Sequence, residues 1–177
     1  LFNTRRLSAL TGNILLLSKL SNQSIRPQKT VFRLDEQVRQ AIVALERKWT
    51  EKEIEFDVEL DPISFCGYEK LLVHVWTNLL DNAIKFDPPG GIIRLKMRSA
   101  SGIVVFMIED DGPGITPGDE ERIFAKFYQS EHSREVEGNG LGLALVHQIV
   151  EISGGSIAVE NLPDAGCRFT VTLPEAQ

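Results

Sequence analysis

The sequence predicts an α/β fold: a two-layer sandwich with a mixed, mostly antiparallel sheet of about five strands, three helices on one face, and a further helix at the N-terminus. Three observations carry this prediction. Residues 68–86 place Leu72, Val75, Trp76, Leu79 and Ala83 at the i, i+3, i+4 spacing of a core-facing helical stripe. Ile54, Phe56, Val58 and Leu60 alternate with charged residues, the period of a half-buried strand. Ile92–Arg98 and Ile103–Glu109 flank a Ser-Ala-Ser-Gly turn, and Ser156–Glu160 and Arg168–Leu173 flank a second turn-rich stretch, so two hairpins are expected. Helices and strands mix without regular βαβ alternation, which points to a mixed sheet with helices on one face.

The elements follow in order. Residues 1–25 carry Leu7, Leu10, Ile14 and Leu17 at 3-4-3 spacing, with Leu15, Leu16 and Leu20 beside them. This is a helix with a wide apolar face, suited either to packing on its own domain or to a dimer or bundle seam. Ser21-Asn22-Gln23-Ser24 and Pro27 break it, leaving 26–30 as a linker and 31–177 as the globular domain. Val31–Leu34 reads as a short strand. Asp35 is placed to cap the next helix, which runs to about Glu51 through Val38, Ala41, Ile42, Leu45 and Trp49. Ser64–Cys66 reads as another short strand. The helix over 68–86 stops at Asp87-Pro88-Pro89-Gly90-Gly91. Glu120–Phe127 is expected to form a short helix, Tyr128–Glu137 a polar loop, and Gly138–Leu143 the opening of a helix to about Ile152.

The chain has 177 residues, enough for one sizeable core plus an appendage. Its net charge is −6 and no basic patch is evident, so a nucleic-acid partner is not expected. No apolar run approaches the roughly 18 residues of a membrane span, and no signal peptide is visible. The first residue is Leu1 rather than Met, so a fragment of a longer protein is expected. Cys66 and Cys167 have neither CxxC nor metal spacing; they fit a reducing cytosolic compartment and read as structural thiols.

Chemistry concentrates in three stretches. On the 68–86 helix, His74, Asn78, Asn82 and Lys85 share one face. Carboxamides and an ammonium together are costly to bury without partners, and carboxamide oxygens suit a hard cation while Lys suits an anion. A metal-bound phosphate would satisfy both. Asp110 ends a buried strand and is followed by Asp111-Gly112-Pro113-Gly114-Ile115. A carboxylate there is either a turn cap or a specific acceptor, for instance of the exocyclic amino group of adenine; guanine presents a carbonyl at that place. Gly138-Asn139-Gly140-Leu141-Gly142-Leu143 precedes a helix, and exposed N–H groups with the positive end of a helix make either a phosphate site or a flexible hinge. It is not a Walker motif, since no GxxxxGK[ST] occurs, nor the dinucleotide fingerprint, since Leu143 occupies the third-glycine position.

In this order and spacing, NLLDNAIKF, DDGPGI, IFAKFY and GNGLGL resemble the asparagine, first glycine, phenylalanine and second glycine boxes of the catalytic ATP-binding domain of bacterial sensor histidine kinases. The resemblance covers about Val31 to Pro174, and residues 1–25 look like the last helix of the family's dimerisation and phosphotransfer hairpin. It implies Mg²⁺ and ATP as cofactors. Asn82 is then the Mg²⁺ ligand, Asn78 the other box asparagine and Lys85 the phosphate-contacting lysine, with Phe86 against the nucleotide. Asp110 becomes the adenine reader, with Gly112, Gly114 and Ile115 shaping the base pocket. Phe124 and Phe127 match the box that anchors a lid over 128–138, and Gly138, Asn139, Gly140, Leu141, Gly142 and Leu143 match its C-terminal hinge and the helix start.

The chain also departs from the family pattern. Asp111 replaces a more usual asparagine and is expected to point to solvent or to bound water. Cys167 stands where Ser or Thr is common, and Gln129 where a basic residue is frequent, which makes Arg134 the best remaining lid cation for the γ-phosphate. Hydrolysing relatives carry a glutamate where Asn78 stands; an asparagine takes no proton at neutral pH, so weak hydrolysis is expected. The resemblance further implies a homodimeric parent, a response-regulator partner, a phosphoacceptor histidine on the hairpin, and a cytoplasmic domain of a membrane sensor. None of His74, His132 and His147 lies in an H-E-x-x-x-P context. The chain is therefore expected to bind ATP without autophosphorylating. Two other readings stand beside this one. A serine kinase of the anti-sigma-factor type shares the boxes but not the Leu7–Leu20 helix, and Asn82, Lys85 and Asp110 argue against a non-catalytic nucleotide-sensing module.

Overall fold

Alternation in the sequence becomes one-sided burial in the structure. The computed structural model describes residues 2–21, 28–129 and 140–175. In chain order these form α1 (Phe2–Ser21), β1 (Thr30–Arg33), α2 (Leu34–Ala44), α3 (Glu46–Glu51), β2 (Glu55–Leu60), β3 (Ser64–Gly67) and α4 (Glu69–Phe86). There follow β4 (Ile92–Ala100), β5 (Ile103–Glu109), a 3-10 turn (Arg122–Phe124), α5 (Gly142–Ile152), β6 (Ser156–Asn161) and β7 (Cys167–Pro174).

The main sheet has five strands in the order β2-β4-β5-β7-β6. Only β2 and β4 run parallel; both predicted hairpins, β4–β5 and β6–β7, are antiparallel. Ile93, Leu95 and Met97 of β4, Val104, Phe106 and Ile108 of β5, and Phe169, Val171 and Leu173 of β7 are all buried. Their alternating partners face water and are laced by ion pairs such as Arg98–Glu59 and Arg168–Glu109. Helices α2, α4 and α5 pack side by side, and Trp76 of α4 meets Phe106 of β5 edge-on at 4.9 Å. This is the predicted sandwich, with β1 and β3 added as a separate two-stranded sheet.

Helix α4 buries the predicted stripe together with Leu71, Leu80 and Ile84. The apolar arc is wide because α2 and α5 flank the helix while the sheet lies beneath it. Pro88 and Pro89 forbid its continuation. Lys52 closes its end, donating from Nζ to the carbonyls of Ile84, Lys85 and Asp87 at 2.7–2.9 Å. A cation at a helix C-terminus also meets its negative pole favourably.

Three local expectations are corrected. Asp35 does not cap α2: the helix already begins at Leu34, and the buried Asp35 carboxylate binds Arg33, Arg39 and the Ile63 N–H instead. The helix expected to run to Glu51 breaks at Leu45. There the N–H of Leu45 tightens onto the Ile42 carbonyl, which also accepts the Trp49 indole N–H. The helix expected over Glu120–Phe127 is a single 3-10 turn. The backbone leaves it extended at Ala125, and the Phe127 N–H goes to the distant Gly140 carbonyl at 2.9 Å. At the N-terminus, Leu17 and Leu20 of α1 join the main core while Ile14 and Leu15 stay exposed. Among the described residues, no helix is long and apolar enough to cross a membrane.

Candidate functional site

The polar face of α4 forms one end of the site. Asn78, Asn82 and Lys85 are half-buried at successive turns of the helix. Asn78 donates from Nδ2 to the His74 carbonyl at 2.7 Å. Its Oδ1 points at the start of α5, where a Cβ on Gly142 would come within 2.8 Å of it. Glycine thus lets the α5 N-terminus close on the asparagine face. Lys85 Nζ lies 4.8 Å from the Phe86 ring centroid. Burial pulls the His74 imidazole below its usual value, which favours the neutral ring.

The loop 110–115 forms the other end, and it abuts the first. Gly112 backs onto the Phe86 carbonyl at the end of α4, where a Cβ would sit 2.9 Å away. Asp110 is 5% exposed. Its Oδ1 accepts the Gly112 N–H at 2.9 Å and its Oδ2 accepts the Cys167 thiol at 3.3 Å. Burial raises the carboxyl's pKa; those two donors offset the rise in part. The same burial pushes the Cys167 thiol up, so it stays protonated and remains a donor. Strand β7 reaches Asp110 only because residue 166 is glycine: a Cβ there would lie 1.7 Å from the Asp110 carbonyl oxygen.

Asp111 is half-buried and has protein partners as well as solvent. It binds Arg94 at 2.9 Å and the Ile92 N–H at 3.1 Å, which ties the loop to β4. Three contributors were missed in the sequence. Asp87, read as part of a helix breaker, is buried and accepts the Asp111 N–H at 2.7 Å, while its second oxygen has no hydrogen-bond partner among the described residues. Burial raises its pKa, and the charges of Asp111 and Asp110 add to the rise. Asn161 bonds both backbone groups of Ile115. Cys167, read as a packing thiol, sits on the key carboxylate. The adjacency of these residues has no local sequence signal.

The remaining predicted residues fall in two groups. The Phe124 ring is anchored, 5.4 Å from His147 and 6.4 Å from Phe169, whereas the Phe127 ring is exposed at a positive φ of 63°. Gly140, Leu141, Gly142 and Leu143 lead into α5, with Leu141 buried and Leu143 half-buried. Gly114 and Ile115 lie against Asn161. Arg134, Gly138 and Asn139, with His132, lie outside the described residues.

A helix bearing two asparagines and a lysine, joined end to end with an aspartate–glycine loop over an α/β sandwich, defines a class. Residues 67–177 match the histidine kinase-, DNA gyrase B- and HSP90-like ATPases, and the chain belongs to that family. Over 171 residues it is 34% identical to the heme sensor protein HssS of Staphylococcus aureus (strain JH9), covering 97% of this chain and 37% of that protein. The chain therefore spans little more than a third of the curated relatives it matches. Its structure is similar to that of the mycobacterial sensor histidine kinase MprB, with a TM-score of 0.76 and 30% identity over 83% of this chain and 97% of that one. It is also similar to the histidine kinase ThkA, solved in complex with the response regulator protein TrrA, with a TM-score of 0.78 and 26% identity over 98% of this chain and 49% of that one.

Proposed function

We propose that this chain binds Mg·ATP and presents its γ-phosphoryl group to a histidine on a dimerisation hairpin, as the kinase module of a two-component sensor. The observation that carries the reading is the Asp110 carboxylate. It is buried, has no cation partner among the described residues, and lies on a glycine loop against the helix that bears Asn78, Asn82 and Lys85. A carboxylate left without a cation retains acceptor capacity for an amino group such as that of adenine.

The residues fit the ligand. Gly112 and Gly142 leave the space that a side chain would fill, against Asp110 and Asn78 respectively. Asn82 would hold the Mg²⁺, which supplies charge neutralisation on the phosphates when bound. Lys85 adds positive charge at the same end, and Asn78 orients without taking a proton, so transfer to an incoming nucleophile is favoured over hydrolysis. Arg134, Gly138 and Asn139 belong to the proposal as lid and hinge, and Phe127 as part of the box before them. Residues 1–25 are assigned to the end of the dimerisation helix, 26–30 to a linker and 31–177 to the catalytic domain. A response regulator is the proposed acceptor of the phosphoryl group, by analogy with ThkA and TrrA.

Calorimetric titration with ATP, with and without Mg²⁺, tests the reading. Magnesium-dependent binding that Asp110→Asn weakens tenfold or more, about 1.4 kcal/mol, is expected. No binding by a folded parent chain would overturn it.

A further inference from the structure

The loop 110–115 belongs to no helix or strand, so its backbone donors need partners from elsewhere. The Asp110 N–H goes to the Cys167 carbonyl, the Asp111 N–H to the Asp87 carboxylate and the Gly112 N–H to the Asp110 carboxylate. The far end is held in another way. Asn161, the last residue of β6, accepts the Ile115 N–H on Oδ1 at 2.7 Å and donates from Nδ2 to the Ile115 carbonyl at 2.8 Å. One carboxamide satisfies both backbone groups of a single residue, as a paired strand would. The approach is close: Gly114 has a φ of 75°, and a Cβ there would lie 2.6 Å from Asn161 Oδ1.

We propose that Asn161 is a positioning residue of the nucleotide site: its carboxamide clamps Ile115 and fixes the wall that meets the base, while the phosphate end on α4 works independently of it. The proposal rests on the nucleotide reading above and deepens it. A loop with no ladder of its own has many accessible conformations, and ordering it at the moment of binding opposes affinity. The clamp removes that conformational freedom in advance. Its contribution falls on the base alone, because neither of its two hydrogen bonds reaches α4.

The hairpin does not need the clamp. Asn161 is exposed, the β6–β7 backbone register extends to Asn161↔Cys167, and the Leu162 N–H bonds the Gly166 carbonyl at 3.0 Å. Truncating the side chain therefore leaves the turn and the sheet in place. Asn161→Asp is a sharper probe. It keeps one acceptor for the Ile115 N–H and turns the other group into a second acceptor facing the Ile115 carbonyl.

The test compares the full chain with Asn161→Ala and Asn161→Asp, titrated with Mg·ATP and with magnesium tripolyphosphate, alongside amide hydrogen exchange at Ile115. Both variants are expected to lose about tenfold in ATP affinity, with tripolyphosphate within twofold of the parent. Exchange at Ile115 accelerates while that of Val171 in the sheet does not. ATP affinity in Asn161→Ala within twofold of a binding parent would overturn the clamp and leave the nucleotide reading intact. Equal losses of ATP and tripolyphosphate would also overturn it, as the mark of general disruption. A folded parent that binds no ATP would overturn the nucleotide reading, and the clamp's role with it.

Discussion

Asp35 and Asp110 are both buried aspartates, and the chain treats them in opposite ways. Asp35 has two arginines, Arg33 and Arg39, each at 2.8 Å, and the Ile63 N–H at 3.1 Å. The Arg33 hydrogen bond leads in holding its carboxyl at about 2, below the usual 3.8. Asp110 has an N–H and a thiol, no cation among the described residues, and a pKa raised by burial. Asp87, beside it, is raised as well and keeps one oxygen unpartnered among the described residues. The first carboxylate is satisfied by the fold and stabilises it. The other two are buried without a cation partner among the described residues: Asp110 is bonded by neutral donors alone, and burial raises both carboxyls, which costs the fold stability where they ionise. That difference sets a carboxylate held by cations apart from two held without them, and it is the contrast on which the proposed role of Asp110 rests.

The largest effect that would break this comparison lies at Asp110. Removing the side chain in Asp110→Ala is expected to lower ATP affinity by about a hundredfold, the loss of a charge-assisted hydrogen bond of about 3 kcal/mol. In the absence of nucleotide, Asp110→Asn is expected to raise the melting temperature at neutral pH, because a neutral isostere avoids burying a charge. A lower melting temperature for that variant would place Asp110 with Asp35 as a structural group.

Asp35→Ala comes next. It should destabilise the chain by about 2 kcal/mol, a fall of about 4–8 °C in melting temperature, with ATP affinity unchanged. Acid titration sharpens the point. Since its folded pKa is depressed, the stability contributed by Asp35 is complete above the usual 3.8 and drains away as pH falls toward about 2. Denaturant unfolding of the parent and of Asp35→Asn should therefore converge across that window.

The smallest effect is at Asp87. Its folded pKa is raised, so its stabilising contribution is full below 3.8 and is lost as pH rises through the folded value. Asp87→Asn retains an acceptor for the Asp111 N–H and should gain stability relative to the parent, by up to about 1 kcal/mol, as pH climbs from 4 toward 7. A constant difference between the two chains over that range would mean that Asp87 ionises as freely as in the unfolded chain.

What was legible in the sequence was local. The apolar stripe of α4, the carboxamides at Asn78 and Asn82 with Lys85 a turn further on, and the alternation of β4, β5 and β7 follow from the helical and strand periods. The glycines of both boxes could be read because turns and close backbone approaches demand them. Tertiary structure overruled local pattern where a distant partner took the group concerned: Ile63 N–H took the carboxylate of Asp35 from its own helix end, and Gly140 took the N–H of Phe127 from a continuing helix.

The chain by itself determined which elements form and which face of α4 carries Asn78, Asn82 and Lys85, because those properties repeat over three or four residues. Only the tertiary structure decided how the loop 110–115 is held. Its bonds join residues far apart in the chain: Asp87 and Asp111 are 24 positions apart, Asn161 and Ile115 are 46, and Cys167 and Asp110 are 57. No period spans such distances. These groups meet because β7 and β6 continue the sheet beside β5 and bring the end of their hairpin to the glycine loop.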